Sequence, residues 1–211
     1  MKLFGDRLKH LRNGLVQADE LQWADLIFVL AGHRNRKVYG ARLFRNLWAP
    51  SMVMSTGDPP YIAKVLLHEV PKSVLPNAQI WSQIEQAARL PSPRDEQFFA
   101  CLTAAGWSVE PIRLEWLGTL SEIKALARWL QRYPATRSLL IVSAGTHLKR
   151  LRMCCQRFLP RECKTRFIAV PREDFGPKFG GKPPREGPRQ ILLEWTKVVL
   201  YGLLLAFTRQ R

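Results

Sequence analysis

Ser138-Leu-Leu-Ile-Val-Ser-Ala-Gly-Thr-His-Leu-Lys-Arg150 is the segment from which the architecture of this chain can be read most directly. Its apolar run, Leu139 to Val142, predicts a buried strand that ends in three small residues. A helical pattern follows at once, in which His147 and Arg150 are three positions apart and share a face. Strand, tight turn and helix start make one unit of an α/β sheet, whose ligands bind at the carboxyl ends of the strands.

Further apolar runs along the chain predict more strands, and periodic segments between them predict helices. The predicted strands are 26–31, 51–55, 112–114, 139–142 and 166–170, and the predicted helices are 38–48, 78–90, 94–105, 120–131 and 191–207. Gly106 is interpreted as the C-cap of the helix 94–105. Alternation of strands and helices predicts an α/β fold, a Rossmann-like three-layer αβα sandwich with a mostly parallel sheet of about five strands.

The chain divides into a lead-in, residues 1–23, and one domain, residues 24–211. Within the domain, residues 59–92 are interpreted as an insertion, 171–188 as a loop over the site, and 189–207 as an apolar closing helix. The lead-in has the pattern of a basic amphipathic helix, which either packs on the domain or lies on an anionic membrane. The longest apolar run, 198–207, has ten residues, whereas a membrane span needs about 20.

Composition narrows the class of partner. The 211 residues include 33 Lys and Arg against 17 Asp and Glu, a formal net charge of +16. Such an excess attracts phosphorylated ligands, anionic lipid surfaces and nucleic acids. Four cysteines without C-x-x-C spacing give no indication of a metal site. The glycine-rich dinucleotide fingerprint, the Walker lysine and the G-x-S-x-G serine elbow are all absent from the sequence.

Small and charged residues follow the predicted strands, and the carboxyl ends of parallel strands meet at one edge of a sheet. Small residues there let backbone N–H groups approach a ligand, and arginines supply bidentate contacts to phosphate. His147 has an ordinary pKa that suits proton transfer, with Glu115 as its acidic counterpart. The other candidate ligand-binding residues from this pattern are Gly32, Arg36, Ser55, Gly57, Ser143 and Arg150.

Three segments resemble the YdcF-like family, which includes the SanA and ElyC envelope proteins. The segment from Ala24 to Leu43 is similar to the family's first strand, glycine turn and arginine-bearing helix. Met52 to Gly57 resembles its second strand, and Val142 to Arg150 resembles its strand followed by His-x-x-Arg. Glu194, Lys197 and Tyr201 fall where the family's closing helix carries a Glu and aromatic residues.

The resemblance covers most of residues 24–201 and implies a Rossmann-like domain, an envelope-related role and no agreed reaction. The family's middle motif is reduced here to Glu115, Thr119 and Glu122, and this match implies that Thr119 belongs to the site. The first turn, Ala31 to His33, is poorer in glycine than is usual in the family. The chain is therefore identified as a divergent member, similar to the soluble branch for which nucleotide-type ligands have been proposed.

Three hypotheses follow. The first is a protein that binds a ligand at the carboxyl edge of the sheet, and that in one version also processes it. The ligand is phosphorylated, nucleotide-like or of the adenosyl type, and lipid-linked phosphates belong to this class. The second is a non-enzymatic accessory factor at the cytoplasmic face of the membrane, in peripheral contact with anionic lipid. The third is non-specific nucleic-acid binding, since net charge alone confers no sequence preference. A cytoplasmic location is expected for all three.

Overall fold

The computed structural model describes residues 11–75, 77–93, 96–113, 118–171 and 188–207. Six strands form one sheet: β1 Leu26–Val29, β2 Ser51–Thr56, β3 Gln97–Thr103, β4 Gly106–Ile112, β5 Ser138–Ser143 and β6 Lys164–Ala169. The helices are α1 Arg34–Arg45, α2 Pro59–Glu69, α3 Ala78–Ala87, α4 Gly118–Arg132, α5 Leu148–Phe158 and α6 Pro188–Phe207. Two short 3₁₀ turns cover Lys72–Val74 and Gly145–His147.

The strand order is β4-β3-β2-β1-β5-β6. Strands β2, β1, β5 and β6 are mutually parallel, whereas β3 runs antiparallel to both β2 and β4. This is the predicted Rossmann-like α/β sandwich with a mostly parallel sheet, enlarged by one strand. Parallel strands β1, β2 and β5 lie at its centre, so their carboxyl ends meet at one edge of the domain.

Alternation along β1 shows how the sheet separates the two core layers, because successive side chains of a strand point to opposite faces. Ile27 and Val29 pack with α1, α2 and α3 on one face. Leu26 and Phe28 pack with α4 and α5 on the other face. All four side chains are fully buried, which explains why the strand has a continuous apolar sequence.

The predicted helix 94–105 is wrong over its described residues, 96–105; of the predicted strand 112–114, Ile112 ends β4, Arg113 lies outside any strand and residue 114 lies outside the described residues. This part of the chain is a hairpin, in which β3 pairs with β2 and with β4. Gly106 has φ +129° at the hairpin corner and does not cap a helix. Pairing with β2 buries Phe99, Ala100, Cys101 and Leu102 of β3, and this tertiary contact outweighs local helix propensity.

The start of helix α1 also differs from the prediction, and helix α2 was not predicted. Helix α1 begins at Arg34, not at Val38, because the His33 side chain accepts a hydrogen bond from the Asn35 N–H. In the same way Asp58 caps helix α2, since its carboxylate accepts from the Tyr61 N–H. The predicted turns after β1 and β2 are therefore shorter than expected, and each leads directly into a helix.

The ends of the domain pack together. Residues 11–15 are helical, and Leu15 is fully buried against Ile191 and Val198 of α6. The described part of the lead-in therefore packs on the domain, as the first of its two alternatives expected. The predicted loop 171–188 falls almost entirely outside the described residues, as do residues 1–10.

Candidate functional site

A cavity of about 230 Å³ opens at the carboxyl edge, beside the ends of β1 and β2. It brings together Gly32, Ser55 and Gly57, three of the residues predicted from the strand-end pattern. The remaining lining residues are Ala31, Arg34, Lys37, Thr56, Asp58, Tyr61 and Gln97. The cavity is therefore formed by the two tight turns, the starts of α1 and α2, and the first residue of β3.

Two glycines keep the cavity open. Gly32 has φ +105°, a conformation that side chains rarely adopt, and a Cβ there would lie 3.2 Å from Nη1 of Arg36. A Cβ on Gly57 would lie 2.8 Å from Nε2 of Gln97. Gly32 therefore favours a residue without a side chain because of its backbone conformation, whereas a side chain at Gly57 would require the Gln97 amide to shift.

Several polar atoms at this edge are buried without a hydrogen-bond partner among the described residues. They include Oγ of Ser55 and Oε1 of Gln97, which belong to residues lining the cavity, and Oγ of Ser143 at the end of β5. Ser55 and Ser143 are both fully buried. An unsatisfied buried polar group costs about 1–3 kcal/mol, so a polar partner for these hydroxyls would stabilise the protein.

Lys37 is buried beneath the cavity and links the ends of two central strands. Its Nζ donates to the carbonyl oxygens of Leu30 at 2.8 Å and Val29 at 3.4 Å, and also to that of Ser55. These three acceptors match the three N–H groups of an ammonium. Burial lowers the pKa of Lys37 to about 7, while the three carbonyls favour the charged form.

Arg36 of α1 lies next to the turn that follows β1, near the charges of Arg150 and Glu194. Its Nη1 donates to the carbonyl oxygen of Ala31 at 2.7 Å, and its Nε has no acceptor among the described residues. Glu122 of α4 accepts from the Ala31 N–H at 2.7 Å. Burial lowers the pKa of Arg36, although a guanidinium remains charged at any ordinary pH.

A second cluster is centred on Arg150 and Glu194. Nη1 of Arg150 lies 2.9 Å from Oε2 of Glu194, and its Nη2 donates to Oγ1 of Thr119 at 3.4 Å. Lys197 Nζ lies 2.7 Å from the other carboxylate oxygen of Glu194. Because α4, α5 and α6 each contribute a member, the cluster forms only when these three helices are packed together.

His147 belongs to this second cluster and is held uncharged. Burial and the nearby Arg36 lower the pKa of His147 to about 4. Its Nδ1 lies 3.3 Å from Nη2 of Arg150, and because a guanidinium only donates, Nδ1 accepts and the proton lies on Nε2. Nε2 faces Oε1 of Glu194 at 3.7 Å, so Glu194 is the carboxylate beside this histidine in the described part of the chain.

Glu194 stays ionised despite its burial. Desolvation raises the pKa of Glu194, but the hydrogen bond from Lys197 and the charges of Arg150 and Lys197 outweigh it and hold the pKa below its ordinary value. The guanidinium of Arg150 also lies 5.2 Å from the ring centroid of Tyr201. The carboxylate thus balances part of the positive charge around it.

Charges at this edge are unequal. Arg36, Lys37 and Arg150 are cations less than a tenth exposed, and the buried carboxylates beside them are Glu122 and Glu194. In a low-dielectric region such an imbalance produces a positive potential that favours an anion. The arrangement can therefore bind a negatively charged group at the carboxyl edge.

The predicted site residues fall into two groups. Gly32, Ser55 and Gly57 line the cavity, whereas Thr119, His147 and Arg150 form the helix-packed cluster. The two remaining described candidates are Arg36, whose charge acts on Lys37 at the cavity and on His147 in the cluster, and Ser143, at the end of β5. Glu115 lies outside the described residues, so its predicted pairing with His147 remains a prediction.

Sequence reasoning missed Lys37 and Gln97 as site residues. Lys37 stands in the basic run Arg34-Asn-Arg-Lys37, where nothing in the sequence separates a buried cation from solvated ones. Gln97 reaches the cavity because β3 pairs antiparallel with β2, and the sequence pattern there predicted a helix. Glu194 had a signal, its match to the closing helix of the YdcF-like pattern.

Comparisons with known proteins gave no match: no family model, no curated protein and no solved structure is similar to this chain at a significant level.

Proposed function

We propose that this protein binds a phosphorylated, nucleotide-like ligand at the carboxyl edge of its sheet, with an anionic group in the cavity beside Ser55 and Gly57. The observation that carries the proposal is the buried, unpartnered hydroxyl of Ser55, a residue that lines the cavity together with the Lys37 ammonium. A phosphoryl oxygen would supply the acceptor that Ser55 lacks, and the positive potential would attract the charge.

Arg34 supplies a direct contact for such an anion. Its guanidinium lies 4.8 Å from the ring centroid of Tyr61, and both residues line the cavity. A guanidinium held against an aromatic face keeps its N–H fork free for a bidentate contact with phosphate. Lys37, whose three N–H groups are already bonded, contributes charge from below the cavity.

Arg36 and Arg150 extend the same anion site. Each keeps a buried Nε–H without an acceptor among the described residues, so each retains a donor for a ligand oxygen. In this proposal His147 acts in any proton transfer as a neutral imidazole, with Glu115 or Glu194 as the neighbouring carboxylate. The ligand classes that fit are mononucleotides, adenosyl cofactors, sugar nucleotides and polyprenyl phosphates.

Ser55→Ala is the sharpest test of this proposal. Because the Ser55 hydroxyl has no partner in the described structure, its removal should leave the melting temperature of the free protein unchanged or slightly higher. Stabilisation by the ligand should fall instead. A ligand at ~100 times its Kd stabilises the wild type by about 2.7 kcal/mol, which a thermal-shift screen of the four ligand classes detects.

Ser51→Ala is the matched control, since Ser51 begins the same strand at the opposite edge of the sheet. It should bind ligand as the wild type does. The double variant His147→Ala, Arg150→Ala should also lose ligand stabilisation. If one ligand class stabilised wild type, Ser55→Ala and the double variant equally, the ligand would bind elsewhere and the proposed site would be wrong.

A further inference from the structure

The outer face of helix α6 is apolar and has no partner among the described residues. Its large side chains are between 47% and 85% exposed: Leu192, Leu193, Val199, Leu200, Leu203 and Phe207. Because an α-helix has 3.6 residues per turn, these positions fall on one arc of about 120°. We call this arc the outer stripe of α6. Apolar surface gathered in this way marks a place of contact with another apolar phase.

The opposite face of α6 is fixed to the domain. Ile191, Glu194, Val198 and Tyr201 are buried, and Nε1 of Trp195 donates to the carbonyl oxygen of Leu11 at 3.0 Å. The inner and outer faces are about half a turn apart, so the outer stripe points directly away from the body. Over 20 residues the helix offers a contact about 30 Å long.

Length and composition would allow α6 to cross a membrane, with a mean hydropathy of 1.4 over its apolar window. Its ionic contacts argue against crossing. Leaving the domain would separate Glu194 from Arg150, now 2.9 Å apart, and would place a carboxylate in hydrocarbon, which is costly. The packed helix is instead suited to lie in the plane of a bilayer surface with its outer stripe immersed.

Charge around the outer stripe identifies the surface that would cover it. Lys149 lies 4.1 Å from the ring centroid of Trp195, Lys197 is half exposed, and Arg189 is exposed at the start of the helix. Residues 11–15 and helices α5 and α6 contain one acidic residue between them, the buried Glu194. A second copy of this chain would place cations against cations, whereas anionic lipid complements them.

We propose that α6 docks this protein on an anionic lipid bilayer, lying in the interface with its outer stripe among the acyl chains and Lys149, Arg189 and Lys197 at the headgroups. The proposal is independent of the ligand cavity, because the outer stripe and the residues lining the cavity are different sets. Either proposal can therefore fail without the other.

Sedimentation of the full chain with lipid vesicles tests the docking surface. Vesicles of phosphatidylcholine with phosphatidylglycerol should bind the protein at least about tenfold more tightly than phosphatidylcholine alone, and high salt should weaken this binding. The double variant Leu192→Ser, Leu203→Ser should reduce binding by about tenfold or more, because it removes apolar burial in the bilayer. Circular dichroism and the melting temperature confirm that the variant is folded.

Leu47→Ser, Leu90→Ser is the matched control. Its two leucines are 64% and 59% exposed, against 65% and 56% for Leu192 and Leu203, and they lie outside α6. This control should bind vesicles as the wild type does. Three results would overturn the proposal: no binding to the anionic vesicles, bound protein that resists alkaline extraction as a spanning helix does, or a dimer in solution that Leu192→Ser, Leu203→Ser dissociates.

Discussion

Single ionisable residues at the carboxyl edge have properties set by their neighbours, and His147 is the clearest case. Its pKa is about 4 in the folded protein against an ordinary value of 6.5. Between these values the unfolded chain takes up a proton that the folded protein does not. Stability associated with His147 is therefore fully present above pH 6.5 and is lost as pH falls towards 4.

His147→Gln removes this titration while keeping a polar side chain of similar size. Between pH 7 and pH 4.5 we expect the wild type to lose about 2 kcal/mol more of its free energy of unfolding than the variant. Urea unfolding at the two pH values measures the difference. Equal losses in the two proteins would show that His147 has an ordinary pKa in the fold.

The ion pair of Glu194 with Arg150 gives a second prediction. Glu194→Gln leaves Arg150 buried beside an uncharged amide, so the free energy of unfolding should fall by about 3 kcal/mol or more. Glu110→Gln is the control, because Glu110, which is partly exposed, pairs with the exposed Arg132, and loss of this pair should cost less than about 1 kcal/mol. If chemical denaturation showed that the two variants lose equal free energy of unfolding, burial would not be what makes the ion pair of Glu194 with Arg150 important for stability.

Among the secondary-structure elements, the hairpin of β3 and β4 departs most from expectation, and Gly106 at its corner can be tested. Gly106 has φ +129°, and a Cβ there would lie 3.0 Å from Oε1 of Gln83 in α3. The same oxygen accepts from the Trp107 N–H at 3.1 Å. Gly106→Ala should therefore destabilise the protein by about 1–3 kcal/mol.

Gly118→Ala serves as the comparison, because a Cβ at Gly118 meets nothing within 4 Å and the residue begins helix α4. Alanine there should leave the melting temperature unchanged or raise it, since it restricts the unfolded chain. If Gly106→Ala were as stable as Gly118→Ala in thermal unfolding, the corner would tolerate a side chain and its described geometry would be wrong.

At the scale of the whole molecule, helix α6 connects the proposed ligand site with the proposed lipid contact. Its inner face supplies Glu194 to the cluster around Arg150 and His147, and its outer stripe forms the proposed contact with lipid. The net charge of +16 favours both the ligand site and the lipid contact, because it attracts phosphorylated ligands and anionic surfaces alike. Salt dependence alone therefore does not separate the proposals, whereas Ser55→Ala and Leu192→Ser, Leu203→Ser do.

Periodicity in the sequence was sufficient to predict the α/β class, the parallel central strands and the segments that meet at the carboxyl edge. Strands β1, β2 and β5 have continuous apolar runs ended by small residues, a local signal that tertiary contacts do not change. Gly32, Ser55 and Gly57 were predictable for the same reason, since each lies at or near the carboxyl end of a central strand.

Pairings between distant segments were not predictable from the sequence. Residues 97–103 form β3 because β2 offers them an unpaired edge, and only this pairing places Gln97 in the cavity. Lys37 is buried because α1 begins at Arg34, and Glu194 faces Arg150 because α6 packs on α5. The sequence alone thus determined which strands and turns form, whereas burial and charge pairing, which depend on contacts between residues far apart in the chain, were determined by the folded structure.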